Sequence, residues 1–218
     1  YGRASGMLYR LRTAGAQPNV HTAVLYDGPG LGDTVLYTLD ENGTWRQASW
    51  ESESRMDEPD TLQRFVEWGM QTFHPESNYY ALALVDHANG VVGIGQDNSS
   101  AAMGEPPFLT PLELRSALDA ATDSGARCLD VVYYDGCSFG LFENAAIVRG
   151  LAQYVVASPN TAWGVFRYDE YRRRAGSAPG PRDYAQSIAA AYAEAVAQLE
   201  RPYTISVLDM TQFERTNT

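Results

Sequence analysis

The chain has 218 residues, 44% of them apolar, and a formal net charge of −11 at pH 7. That length and apolar share bury the core of one ordinary domain and leave little for a second, so residues 1–218 are read as a single domain. The acidic balance excludes a nucleic-acid binder, which needs a basic face to neutralise phosphates, and no window approaches the roughly 20 apolar residues of a membrane-spanning helix.

In chain order, residues 4–13 place Met7, Leu8 and Leu11 on one helical face until Gly15 and Pro18 break the pattern. A strand follows at Val20 to Tyr26. After the turn chemistry of Asp27-Gly28-Pro29-Gly30, Thr34 to Leu39 and Thr44 to Gln47 form a peripheral hairpin around Glu41-Asn42-Gly43. Pro59 near a helix start, then Leu62, Phe65, Val66 and Met70 at three-to-four spacing, predicts a helix over 58–73. The run from Tyr79 to Val85 reads as a strand ending at His87, and 88–109 as a loop. Thr110-Pro111-Leu112-Glu113 is a capping box opening a helix through about Thr122.

The apolar run from Leu129 to Tyr134 reads as a second strand, ending at Cys137. The remaining expectations are a helix from Phe139 to Arg149, a strand from Gln153 to Ala157 and a loop over 159–180 containing Arg172-Arg173-Arg174. An alanine-rich helix over 183–199 and a strand from Tyr203 to Leu208 complete the reading. Alternating strands and helices predict an α/β protein with a mainly parallel central sheet and helices on both faces. The first element is a helix with no strand to cross over from. Either the chain derives from a longer polypeptide with a first strand upstream of Tyr1, or the sheet begins at Val20.

Chemistry concentrates where the two long apolar strands stop. Ligands in open α/β sheets gather beyond the carboxyl ends of the strands, and a histidine and a cysteine delivered there fit nucleophilic catalysis. The nucleophile must be a thiolate, which an adjacent imidazole and the amides of a helix opening at Phe139 would favour. The N–H groups of Cys137 and of the residues after His87 are candidates for an oxyanion hole. Cys128 is read as a buried small hydrophobe, and bridging it to Cys137 would strain the strand between them. His21, opening a strand, and His74, before Pro75, are read as structural, and no cysteine or histidine spacing fits zinc.

Asp86-His87-Ala88-Asn89-Gly90 and Asp135-Gly136-Cys137-Ser138-Phe139-Gly140-Leu141-Phe142-Glu143 resemble the two active-site motifs of the clostripain-like cysteine peptidases. The resemblance runs from Asn19 to about Met210 and implies the caspase-like three-layer sandwich shared with caspases, legumains and gingipains. It implies that Cys137 attacks a peptide carbonyl, that His87 protonates the leaving amine, and that Ala88 and Cys137 supply the oxyanion hole. Asp135 matches the family's acid for a basic P1 side chain, arginine or lysine, whose guanidinium fork a carboxylate suits. Ser158 and Asp169 are further candidates for the substrate pocket, and Glu143 for a structural hydrogen bond.

The resemblance also implies peptide or protein substrates with exposed Arg or Lys, bacterial relatives that are often exported, and no required cofactor. Calcium dependence in some relatives points to Asp97 or Asp33 as oxygen donors, although nothing here resembles a calcium loop. Ala88 departs from the family, which has glycine after the histidine, and a methyl group there restricts the backbone. No Arg or Lys lies between Gly95 and Arg115, where some relatives cut themselves, which leaves Arg172 to Arg174 as the better site for self-cleavage. Two competing readings remain: a catalytically weak or inactive caspase-like binding module, and a flavodoxin-like ligand domain. The latter lacks any Gly-x-Gly-x-x-Gly or Walker pattern.

Overall fold

A computed structural model describes residues 2–74, 77–97 and 108–213, with side chains from Gly6 onward. The helices are α1 (Gly2–Thr13), α2 (Pro59–Thr72), α3 (Pro111–Ala121), α4 (Phe142–Ile147), α5 (Tyr168–Ser177), α6 (Pro181–Ala197) and α7 (Met210–Phe213). The strands are β1 (Thr22–Tyr26), β2 (Val35–Leu39), β3 (Trp45–Ala48), β4 (Ala81–Val85), β5 (Leu129–Asp135), β6 (Ala152–Ala157) and β7 (Ser206–Asp209). They form a three-stranded sheet in the order β1-β2-β3 and a four-stranded sheet in the order β4-β5-β6-β7.

The four-stranded sheet is parallel from β4 to β6, and β7 closes it antiparallel. All seven residues of β5 are buried. Its continuous Val and Tyr run is what a strand covered on both faces requires. On one face Leu82, Val132 and Tyr134 pack with Leu62, Val66 and Met70 of α2 and Leu114 and Leu118 of α3. On the other, Val131, Tyr133 and Val156 meet Tyr171 of α5 and Ala185, Ile188 and Ala191 of α6. The small residues of α6 let that helix approach the sheet closely. The result is the three-layer α/β sandwich that strand and helix alternation predicts.

Local chemistry sets the helix ends. Pro59 opens α2 at a position where its missing N–H costs nothing. At α3 the predicted capping box forms: the Thr110 hydroxyl accepts from the Glu113 N–H, and the Glu113 carboxylate accepts from the Thr110 N–H at 2.9 Å.

Several elements differ from the sequence reading. The strand β1 does not lie in the mainly parallel sheet but joins the hairpin, because β2 pairs antiparallel with β1 as well as β3. The segment 159–180 is not mostly loop: α5 occupies Tyr168–Ser177, and Tyr171 and Arg172 on it are buried. Helix α4 starts at Phe142, not Phe139, since Phe139 turns inward onto Tyr134 with ring centroids 4.7 Å apart. Residues 98–107 of the 88–109 loop lie outside the described residues, so the expectation about self-cleavage there does too. Among the described residues, no helix is long and apolar enough to cross a membrane.

Candidate active site

Strands β4 and β5 run parallel with Val85 opposite Asp135. The chain therefore steps off the two neighbouring strands at one level, through Asp86 to His87 and through Gly136 to Cys137. The two turns touch. A Cβ on Gly136 would lie 2.8 Å from Ala88 Cβ, 3.0 Å from the Asp86 carbonyl oxygen and 3.2 Å from Ile94 Cδ1. The Ala88 methyl thus fills space that a side chain at 136 would need.

Beyond Cys137 the backbone is held by a short series of hydrogen bonds. Ser138 adopts a positive φ of 56° and donates its N–H to the Asn160 carbonyl at 2.8 Å, and Gly140 donates to the Ser158 carbonyl at 2.8 Å. Asn144, fully buried in α4, donates from Nδ2 to the carbonyls of Gly90 at 3.1 Å and Phe139 at 3.3 Å. One side chain thereby bridges the loop after His87 and the turn after Cys137. The Cys137 Sγ–H points to the Ala162 carbonyl at 3.8 Å. His87 is exposed and Cys137 half-buried, so both reach solvent. Because α4 begins five residues after Cys137 and is six residues long, its N-terminus does not adjoin the sulfur as expected.

Asp135 ends β5 at 5% exposure. Its Oδ2 accepts from the Tyr168 hydroxyl at 3.0 Å, and the Tyr133 hydroxyl also donates to the carboxylate. Burial pushes its pKa up to about 6, against the lowering effect of these two hydrogen bonds. The same burial, with the Asp135 charge beside them, raises the Tyr133 and Tyr168 hydroxyls well above their ordinary value. Asp135, Cys137 and His87 all border one cavity of about 1480 Å³.

Other predicted residues fall elsewhere. Ser158 is buried, and its hydroxyl donates to the Asn160 carbonyl at 2.9 Å and lies 3.2 Å from the Thr204 hydroxyl. Asp169 pairs with Arg173 at 2.7 Å and Arg167 at 3.5 Å. Neither residue is on the cavity wall, so both serve internal contacts. Glu143 is exposed, and the structural hydrogen bonds expected of it belong to its neighbour Asn144. His21 stacks on Phe73 at 5.3 Å.

The arginine run is not an exposed loop. Arg172 is 2% exposed and donates to the Val20 carbonyl, the Thr22 hydroxyl and the Asp40 carbonyl at 2.9, 2.8 and 2.6 Å. Arg173 and Arg174 pair with Glu170. A helix of this kind is a poor site for self-cleavage.

Of the acids considered for calcium, Asp33 clusters with Asp27 and Glu53, their ligand atoms all within 4.8 Å of one another. Both Asp33 oxygens already accept N–H groups, from Gly28 at 2.9 Å and Gly30 at 2.8 Å. Asp97 lies outside this cluster and accepts the Met56 N–H at 3.0 Å. The two acids do not form one ligand set.

Asn144 and Tyr168 hold the candidate site together, and sequence reasoning missed both. Tyr168, Tyr171, Arg172 and Ala175 repeat at helical spacing, a pattern obscured by the arginines. Nothing local to Asn144 distinguishes it from a solvated polar residue.

A three-layer α/β sandwich that carries a histidine and a cysteine off the ends of adjacent parallel strands has the caspase-like architecture. A model of the clostripain family matches residues 11–217, and the chain belongs to that family. Among solved structures it is similar to a secreted C11 cysteine protease from Bacteroides thetaiotaomicron in complex with an irreversible peptide inhibitor. That match has a TM-score of 0.75 at 19% identity and covers 96% of this chain and 62% of the other. It is also similar to an inactive zymogen C11 protease from Parabacteroides distasonis, with a TM-score of 0.68 at 19% identity, covering 98% of this chain and 59% of that one. The chain therefore spans less than two thirds of either solved chain. No curated protein matches it.

Proposed function

We propose that this chain carries the catalytic centre of a cysteine endopeptidase that hydrolyses peptide bonds after arginine, with lysine as the lesser P1 residue. The observation that carries this reading is the shared end of β4 and β5, where His87 and Cys137 border the same cavity as the buried Asp135.

The substrate's P1 guanidinium enters the cavity and pairs with Asp135, displacing part of its tyrosine hydrogen bonding. The Cys137 thiol passes its proton to His87, and the thiolate adds to the scissile carbonyl carbon. The developing oxyanion is met by the backbone N–H groups of Ala88 and Cys137. On collapse the C–N bond breaks, and His87 returns the proton to the leaving amine. Water then adds to the thioester, with His87 accepting its proton, and the acid product leaves as the Cys137 thiol re-forms. Every step uses side chains, backbone and water.

The test is cleavage profiling on a peptide library, joined to labelling by an alkylating inhibitor bearing a P1 arginine. Cleavage after arginine, with the label on Cys137 and both lost in Cys137→Ala, is the expected result. A folded protein that neither cleaves nor labels overturns the peptidase reading in favour of a binding module. Cleavage after acidic or small residues overturns only the role given to Asp135.

A further inference from the structure

Apolar side chains stand at two places where local structure favours polar ones, and both places adjoin the turn of Cys137. The first is the turn after His87. Ala88 and Ile94 pair antiparallel, and between them the Asn89 N–H donates to the Gly93 carbonyl and the Val92 N–H to the Asn89 carbonyl, each at 2.9 Å. Turns of this kind take glycine, asparagine, aspartate or serine, yet Val91 and Val92 at the tip are 59% and 49% exposed. The second is the start of α4, where Leu141 holds the N-cap without a side-chain hydrogen bond and Phe142 follows at 64% exposure. Serine, threonine, aspartate or asparagine is the usual choice for a cap.

The two segments form one surface. A Cβ on Gly90 would lie 3.5 Å from Leu141 Cδ1 and 3.8 Å from the Ser138 carbonyl oxygen, and Asn144 Nδ2 donates to the Gly90 carbonyl at 3.1 Å. The turn tip therefore rests on the residue that follows Cys137. Phe142 is steadied by Phe213, with ring centroids 5.0 Å apart. None of Val91, Val92, Leu141 and Phe142 is on the wall of the cavity that holds Asp135. A single exposed apolar residue is ordinary, but a contiguous apolar patch beside a reaction centre, fixed in place by hydrogen bonds, is what a ligand-binding surface requires.

The place of this patch relative to Asp135 names the ligand. Residues of β5 alternate between the two faces of the sheet: Tyr133 and Asp135 turn toward α5, and Val132 and Tyr134 toward α2 and α3. Helix α4 packs against α3, and Phe139 packs on Tyr134, so Leu141 and Phe142 lie on the α3 side. The turns of His87 and Cys137 thus separate the Asp135 pocket from the apolar patch. An extended peptide sends successive side chains to opposite sides. One that seats P1 toward Asp135 directs the next side chain, P1′ on the leaving-amine side of the scissile bond, toward α4. We propose that Val91, Val92, Leu141 and Phe142 form the subsite for a large apolar P1′ side chain, so that the chain selects residues on both sides of the bond it cuts. This assignment rests on the peptidase reading and narrows its substrates to polypeptides in which the P1 residue is followed by a residue such as leucine.

The test compares quenched fluorescent peptides that share a P1 arginine and differ only at P1′, leucine against asparagine, two side chains of similar shape and opposite polarity. Partial burial of the leucine side chain on an open patch should favour it by about tenfold in kcat/KM. In Val92→Ser and in Phe142→Ala that preference should fall to about threefold or less. The two substitutions lie on separate elements, so either one decides the matter if the other fails to fold. A preference below about twofold in the unaltered protein, or one that every folded variant keeps in full, overturns the subsite and leaves the peptidase reading standing. A folded protein that cleaves neither peptide and takes no label at Cys137 overturns the peptidase reading and the subsite with it. A patch that instead pairs two copies of the chain would show as a dimer that Phe142→Ala dissociates while the P1′ preference stays unmoved, and that result also overturns the proposal.

Discussion

The β4–β7 sheet and the β1–β3 sheet are secured by different chemistry. In the first, β5 is buried along its whole length, and apolar side chains from α2, α3, α5 and α6 cover both faces. In the second, every residue of β1 is only partly buried, and a buried guanidinium, that of Arg172, ties the sheet to α5. Apolar layers tolerate small displacements, whereas a charge with three acceptors fixes one arrangement. The turns that carry His87 and Cys137 stand on the layered sheet, so their geometry does not depend on how firmly the other sheet is docked.

The largest expected effect tests that separation directly. Arg172→Met keeps most of the volume but removes the donors to Val20, Thr22 and Asp40, at a cost of about 4 kcal/mol given the usual worth of charged hydrogen bonds. Hydrogen exchange should then accelerate in Thr22–Tyr26 well before Leu129–Asp135. Equal loss of protection in both sheets would show that they open as one unit and would break the comparison.

Asp135 sharpens it from the other side, as a carboxylate buried within the layered sheet. Its pKa is raised from an ordinary 3.8 to about 6 by burial, so the folded state holds its proton more tightly than the unfolded state. The associated stability is fully present below about pH 4 and is lost as pH rises through about 6. A shift of that size corresponds to roughly 3 kcal/mol. Asp135→Asn should therefore stabilise the fold by that order in denaturant titrations at pH 8 and by little at pH 4, while removing the preference for P1 arginine. In the unaltered protein, kcat/KM on an arginyl peptide should rise as pH passes about 6 and the carboxylate ionises. A variant that is destabilised at pH 8 would show that the tyrosine hydrogen bonds outweigh the burial of the charge.

The layered sheet is also the part most legible in the sequence. Long apolar runs ending at His87 and Cys137, the capping box at Thr110 and the spacing of Leu62, Val66 and Met70 each carry a period or a terminator that burial enforces. The elements that escaped were those with mixed patterns. Helix α5 was hidden by Arg172-Arg173-Arg174, whose charges imitate a solvated loop although Arg172 points inward. The start of α4 is not legible because Phe139 looks like a first helical residue, while the long-range contact with Tyr134 turns it into the core. The residues bordering the cavity beside Cys137 were legible from their motifs. The places of Ser158 and Asp169 off the cavity wall are not legible, since whether a polar side chain faces a pocket or an internal partner depends on contacts distant in the chain.

The smallest effect concerns the contact on which the turns of His87 and Cys137 meet. Gly136→Ala puts a methyl group 2.8 Å from Ala88 Cβ and 3.0 Å from the Asp86 carbonyl, so the turns must separate. Overpacking of this kind costs about 2 kcal/mol. Because His87 lies between Asp86 and Ala88, the movement also displaces the imidazole relative to Cys137, and turnover should fall more than stability does. Ala88→Gly alone should be nearly neutral for the fold, since it removes a single half-buried methyl group. The double variant removes the methyl clash and leaves the carbonyl contact, so it should recover part of the stability and part of the turnover. A cycle over these variants measures that coupling, expected at about 1 kcal/mol for side chains in direct contact. Strict additivity would mean that the turns already sit far enough apart to absorb the methyl group. In that case the pairing of alanine at 88 with glycine at 136 is incidental to how the site is held.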